Sequence, residues 1–316
     1  MEKQLVISSS PHVRSTASTS RVMLDVIIAL VPTAVMGVLL FGIRAIAVIA
    51  ACVLSAVLGE FLFNIIVKKP QTVGDLSAVV TGLLLALNLR ADVPIWQCVV
   101  GSLFAIIVVK CLFGGLGCNF ANPAITGRIF MTLCFTVSVG GGAALAFGKK
   151  EVVDLTTSAT PLELLAKESD ALPSLLDMFL GFKSGAIGEV CGAAIVLGFL
   201  YLVIRRVINF EVPLIFVGGV FVLSLMITGN PVTSLYQVLS GGLLLGAVFM
   251  ATDYVTTPIT RLGKMIFAFG CALITVLIRF YGSYPEGVSY AILIMNIISP
   301  YIEKWTLKRP LGGVEK

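Results

Sequence analysis

Charge is what this sequence has least of. Lys, Arg, Asp and Glu make up 12% of its 316 residues, about half of what a water-facing domain carries. So few charges cannot dress the surface of a soluble enzyme, a coiled coil or a disordered chain, and those classes are excluded. Histidine occurs once, as His12, which rules out a His-rich metal site and fits the lack of any Ser/His/Asp constellation. The seven cysteines, at positions 52, 98, 111, 118, 134, 191 and 271, contain no C-x-x-C pair. They lie almost all in apolar runs and read as small buried hydrophobes, not as metal ligands or disulfides. The formal charge is +5, but the basic residues are scattered at segment ends, so a nucleic-acid partner is not expected.

What the chain has in excess is apolar length: 58% of its residues are hydrophobic. A hydrocarbon core takes about 20 residues per helix, and apolar segments recur near 22–41, 45–67, 76–89, 95–113, 124–140, 186–208, 212–228, 237–252, 262–280 and 287–303. The reading is an all-α polytopic protein of the lipid bilayer with about ten transmembrane helices. The third and eighth segments are short. The one long polar stretch, 141–185, is expected outside the bilayer. No small-residue cleavage pattern follows the first apolar run, so residues 1–21 read as a retained polar segment and not as a signal peptide.

With the N-terminus in the cytoplasm, ten spans return the tail at 304–316 to the same side. Lys and Arg then number 15 inside and 7 outside, as the positive-inside rule requires. Residues 141–185 fall on the extracytoplasmic side of a bacterial inner membrane. Gly82-Leu83-Leu84-Leu85 of the third segment is echoed by Gly242-Leu243-Leu244-Leu245 of the eighth. Each is followed by an acid and a proline, Asp92 with Pro94 and Asp253 with Pro258. Both short segments are third in a set of five, and an offset of five helices inverts one set relative to the other. The expectation is two inverted five-helix halves, 22–140 and 186–303, with the short helices meeting near the functional centre.

Within the outer loop, Thr160-Pro161-Leu162-Glu163 has the form of a capping box: Thr160 as N-cap, Pro161 at the first helical position, Glu163 reaching back. The same position suits a phosphoester, because a helix N-terminus offers free N–H groups and a positive dipole end. Ser158 and Ala159 are small enough to leave room, and a residue before proline favours extended backbone. Glu163 would repel a phosphate mildly.

Ser158-Ala159-Thr160-Pro161-Leu162 resembles the flavinylation motif of the D subunit of the Rnf complex and of its relative, the B subunit of the sodium-pumping NADH:quinone oxidoreductase. Gly114-Gly115-Leu116-Gly117 with Asn122-Pro123-Ala124, Ala251-Thr252-Asp253-Tyr254-Val255-Thr256, and the opening Ser9-Ser10-Pro11-His12 are similar to further family stretches. The resemblance covers essentially the whole chain, with Tyr254 where the family usually has Pro and Cys118 where a polar residue is common. It implies a membrane subunit of a complex that moves electrons between ferredoxin and NAD and couples this to Na⁺ or H⁺ translocation. It further implies FMN esterified to Thr160 within the Ser158, Ala159, Pro161 motif, installed by a separate flavin transferase, and a second, noncovalent flavin, riboflavin or FMN. The other subunits of the complex would be its partners.

Carboxylates within or beside apolar segments are the remaining candidates, because such groups are costly in a bilayer and often lie on ion pathways. Glu60, Asp92 and Asp253 are the speculative ion-path residues, and Asp25 is a weaker one. For Glu60, snorkelling or pairing with Lys68 or Lys69 is the structural alternative; for Asp92 and Asp253 it is capping. The glycine run 114–117 lacks the Lys-Ser/Thr end of a phosphate loop and is read as small residues permitting close helix approach. A secondary transporter with inverted repeats and no covalent flavin is the competing class, and a redox scaffold in which Thr160 is only a cap is a third.

Overall fold

The computed structural model describes residues 18–135, 142–143, 157–158, 160–166, 172–282 and 286–307; for 142, 143, 157, 158 and 166 it describes the backbone only. The expectations for Ser9, Ser10, Pro11, His12 and Ala159, and most of the outer loop and tail, lie outside these residues. The fold is helical. In chain order, α1 is Thr19–Phe41, α2 Ile43–Val67, α3 Ser77–Leu87, α4 Ile95–Cys111 and α5 Pro123–Cys134. Two short helices follow, α6 Pro161–Ala166 and α7 Leu175–Leu180, then α8 Gly192–Ile204, α9 Glu211–Thr228, α10 Pro231–Leu239, α11 Leu243–Met250, α12 Arg261–Tyr281 and α13 Val288–Thr306. A two-residue antiparallel pairing sets Gly142 against Ser158 and Ala143 against Thr157.

Four helices, α1, α2, α9 and α12, are long and apolar enough to cross a membrane, and five if α10 and α11 form one span bent by 66°. Their outward faces carry large apolar residues in the open, including Ile43, Ile66, Met226 and Leu262, the inverse of a water-soluble surface. The interior holds the polar side chains, among them Glu60, Lys110, Asn88, Arg90 and Asn296. Together these features describe a multi-pass membrane protein.

The apolar pattern placed helices well but not their ends. The eighth segment is broken inside its expected range, at 240–242, between α10 and α11. The sixth begins as an irregular loop: Ile187 and Gly188 donate their amides to the carbonyls of Leu89 and Leu87, and helix α8 starts only at Gly192. The seven cysteines are all free, as expected, but Cys118 and Cys134 are exposed. Gly114, Gly115 and Gly117 take φ of 123°, 99° and 90°, and a Cβ at 115 or 117 would meet nothing within 4 Å. The glycine run is therefore required by left-handed backbone, not by close helix approach.

Helix α2 packs on α3 and α4, and α9 on α10 and α12. Helix α1 lies against α8, and α5 against α13. Asp25 ties the first pair: it accepts from Tyr201 Oη at 2.9 Å and pairs with Arg205 at 3.3 Å, so its role is to join α1 to α8. The α2–α3 contact depends on Gly82, where a Cβ would lie 2.8 Å from both the Cys52 carbonyl oxygen and the Val53 Cα. Backbone atoms cannot swing aside, so Gly82→Val is expected to destabilise the fold by about 1–3 kcal/mol. Thermal unfolding in detergent would show this as a lowered midpoint, and an unchanged midpoint would mean that α3 can shift.

Candidate functional site

Three short helices, α3, α5 and α11, stand between two cavities. Ser77, Ala124 and Phe249 line one cavity, while Asn88, Arg128 and Gly241 line the other. Ser77 and Asn88 are eleven positions apart along α3, so the two ends lie roughly 16 Å apart at 1.5 Å per residue.

Thr160 lines the second cavity, of about 120 Å³. Both bonds of the capping box are present: Glu163 N–H donates to Thr160 Oγ1 at 3.3 Å, and Thr160 N–H donates to a Glu163 carboxylate oxygen at 3.2 Å. Leu162 is buried and pins the helix start, which leaves the half-buried Thr160 at the cavity wall. Pro161 lines the same cavity. Ser158 is placed by its backbone pairing with Gly142.

Three cations, Arg90, Arg128 and Lys183, share this cavity with Glu163, Glu189 and Glu286. Arg128 rises from the middle of α5 and holds Glu286, Glu189 at 3.4 Å and the Asn88 side-chain oxygen at 2.9 Å. Arg90 pairs with Asp92, so Asp92 anchors a cavity cation. Lys183 donates to the Leu239 carbonyl, and burial pulls its ammonium down to about 8, against the raising influence of Glu189. Arg128, grouped in the sequence tally with the inner cations, shares its cavity with Arg90 and Lys183, which that tally placed outside.

The same charges explain why a span can break here. Arg279 donates to the Gln237 and Ser240 carbonyls at 2.5 and 3.1 Å, alongside Lys183 at Leu239, so cations satisfy the last carbonyls of α10. At the other side of the break Glu286 accepts from Gly242 N–H at 3.0 Å, placing an anion at the start of α11. Each half-helix dipole meets charge of the opposite sign.

The remaining sequence candidates lie apart from Thr160. Asp253 accepts from Val255 N–H at 3.1 Å and Thr256 Oγ1 at 3.3 Å, closing the turn after α11, and lines the first cavity. Glu60 pairs with Lys110 at 2.8 Å and not with Lys68 or Lys69. Sequence reasoning treated Lys110, Arg128, Lys183 and Arg279 as topology markers and passed over Glu189 and Glu286. The signal for Arg128 was available, a cation inside an apolar run; the carboxylates gave none, because their partners are remote in sequence.

The sequence profile of the NQR2, RnfD, RnfE family matches residues 6–312. The chain belongs to that family. It is 45% identical over 314 residues to the D subunit of the Na⁺-translocating ferredoxin:NAD⁺ oxidoreductase complex of Acetobacterium woodii, covering 98% of this chain and 96% of the relative. It is 41% identical to the D subunit of the proton-translocating ferredoxin:NAD⁺ oxidoreductase complex of Clostridium ljungdahlii, with 95% and 94% covered. The D subunit of the ion-translocating oxidoreductase complex of Stutzerimonas stutzeri is 36% identical over 94% of this chain and 93% of its own. The resemblance drawn from the loop motifs is thus a family membership that spans the chain.

Proposed function

We propose that this chain is the D subunit of an ion-translocating ferredoxin:NAD⁺ oxidoreductase complex and carries FMN as a phosphoester of Thr160. Full-length similarity to three such subunits supports the first part. The observation that carries the second is the position of Thr160 at a helix start, on the wall of a cavity that holds Arg128 and Lys183. Glu189 and Glu286 are engaged by Arg128, and Glu163 by the Thr160 amide. Lys183, buried and lowered to about 8, would regain proton affinity beside an anion, so it is the cation best suited to a phosphodiester. A cavity of 120 Å³ is small against the roughly 300–1,000 Å³ of pockets that enclose drug-sized ligands. It takes the phosphate, and the ring system lies outside it, where a redox partner can approach.

A bound flavin supplies the electron transfer; the chain anchors and orients it. Attachment needs the Thr160 oxygen to form a bond to phosphorus as the pyrophosphate bond of FAD breaks, with AMP leaving and the hydroxyl proton lost. In this reading a separate flavin transferase brings the FAD and takes up the proton. The second, noncovalent flavin, riboflavin or FMN, remains an expectation. The first cavity, with Phe249, Tyr254 and Asn119, has a fitting mix of apolar and polar walls, but at about 80 Å³ it does not take a flavin without side-chain movement.

In this reading about ten membrane segments form two inverted halves, α1–α5 and α8–α13. The packing supports it: α2 meets α3 and α4 as α9 meets α10 and α12, α4 meets α5 as α12 meets α13, and the first and last members pair across the halves. Both termini then face the cytoplasm, 141–185 faces outward, and the other subunits of the complex are the partners. A broken span also suits a secondary transporter, which would carry no covalent flavin. Mass spectrometry of the chain from cells holding the transferase decides between them. The expected result is a Thr160 peptide heavier by esterified FMN, and an unmodified peptide would sink the flavin reading.

A further inference from the structure

Glu60 and Lys110 form an ion pair of 2.8 Å whose side chains are 2% and 1% exposed. Polar side chains extend it in both directions. Thr72 donates to the second Glu60 oxygen at 2.5 Å, and Asn64 donates to Thr72 at 3.1 Å. On the other side the Lys110 ammonium donates to Ser77 Oγ at 2.6 Å, and Ser77 donates to Asp75 at 2.5 Å.

This ladder separates two cavities. Glu60, Asn64 and Thr72 border one of about 160 Å³ that reaches Lys69 and the glycine loop. Ser77 and Lys110 border the cavity of about 80 Å³ at the near ends of α3, α5 and α11. A buried ion pair is weak evidence for stability, since an apolar pair of similar volume often serves as well. In an apolar bundle, paired ionisable groups more often mark an ion route. Lys110 also sits in a π-helical stretch of α4, residues 104–111, a distortion frequent at functional sites.

We propose that the Lys110 ammonium is the resident, displaceable cation of a monovalent-cation site built by Glu60, Ser77 and Thr72, through which the translocated ion passes between the two cavities. A carboxylate and hydroxyls are the hard oxygen donors that such a cation takes, and the lysine fills their place with a tethered positive charge. An arriving cation gains Glu60 only as the ammonium withdraws, so the two cavities are not open to each other at rest. The inference rests on the ion-translocating reading and not on the flavin, and its test runs equally in a Thr160→Ala background.

The full-length chain in lipid nanodiscs is melted in NaCl and in choline chloride of equal ionic strength. Lys110→Met leaves Glu60 without its cation. Its midpoint is expected to rise on the order of 3–6 °C between 1 and 100 mM NaCl and not in choline, while the parent chain, already occupied, stays flat. Glu60→Gln combined with Lys110→Met removes the charge and should abolish the Na⁺ response. A Lys110→Met midpoint that ignores Na⁺, or a double variant that responds like the single one, overturns the proposal. If Lys110→Met does not fold, Lys110→Arg in the reconstituted complex gives the second test. Electron transfer should persist while ions moved per electron fall at least tenfold, and an unchanged ratio overturns the site.

Discussion

Thr160→Ala is expected to leave the purified chain colourless and non-fluorescent on a denaturing gel, after maturation in cells that contain the flavin transferase. Ser158→Ala should keep the signal. The difference follows from position. Thr160 Oγ1 stands at the α6 N-terminus and lines the cavity with Arg128 and Lys183, whereas residue 158 belongs to the strand pairing with Gly142. Only the former offers a phosphate a cationic wall. The substitution also removes an N-cap, at a cost of about 1 kcal/mol, too little to unfold the chain. Loss of fluorescence with a midpoint lowered by no more than about 2–4 °C would therefore report the missing ester. Retained fluorescence in Thr160→Ala would move the attachment elsewhere and remove the basis of the flavin reading.

Arg128→Ala is expected to be strongly destabilising. It strands Glu189 and Glu286, which both pair with this guanidinium, and strips the Asn88 side-chain oxygen of its donor. Removing one partner of a buried ion pair costs about 3–5 kcal/mol, because the other charge stays buried without compensation. Glu286 also holds the amide of Gly242 at the start of α11, so the break between α10 and α11 should loosen as well. The check is a series in one detergent. Arg128→Ala should unfold well below the parent, and Arg128→Met with Glu189→Gln and Glu286→Gln should recover much of the loss by removing the stranded charges. Equal midpoints for parent and Arg128→Ala would show that Glu189 and Glu286 are held protonated or by Lys183 and Arg279, and that Arg128 is not the keystone of this cavity.

Thr160 and its capping box were readable in the sequence because all the partners lie within four positions, and the local pattern is the whole mechanism. Asn122-Pro123 opening α5 is of the same kind: the Asn122 side chain accepts from Ala124 N–H at 3.0 Å and Pro123 takes the first turn. The break in the eighth segment has a local signal in Ser240-Gly241-Gly242, where Gly241 takes a positive φ. What the sequence did not show is the charge that holds the two ends from outside, from Lys183, Arg279 and Glu286. Glu60 was recognised as unusual but given the wrong neighbours, since Lys68 and Lys69 are near it in sequence and Lys110 is near it in space.

Composition and local pattern alone determined that this chain lives in lipid, that its helices are apolar and partly short, and that one threonine caps a helix. Those are properties of consecutive residues, decided by transfer from water and by hydrogen bonds that close within a turn. The tertiary structure alone decided which charges meet: Glu60 with Lys110 across 50 residues, Arg128 with Glu286 across 158, Asp25 with Tyr201 across 176. In an apolar interior a buried charge must find a partner or a terminus wherever the packing brings one, and no stretch of neighbouring residues records where that will be.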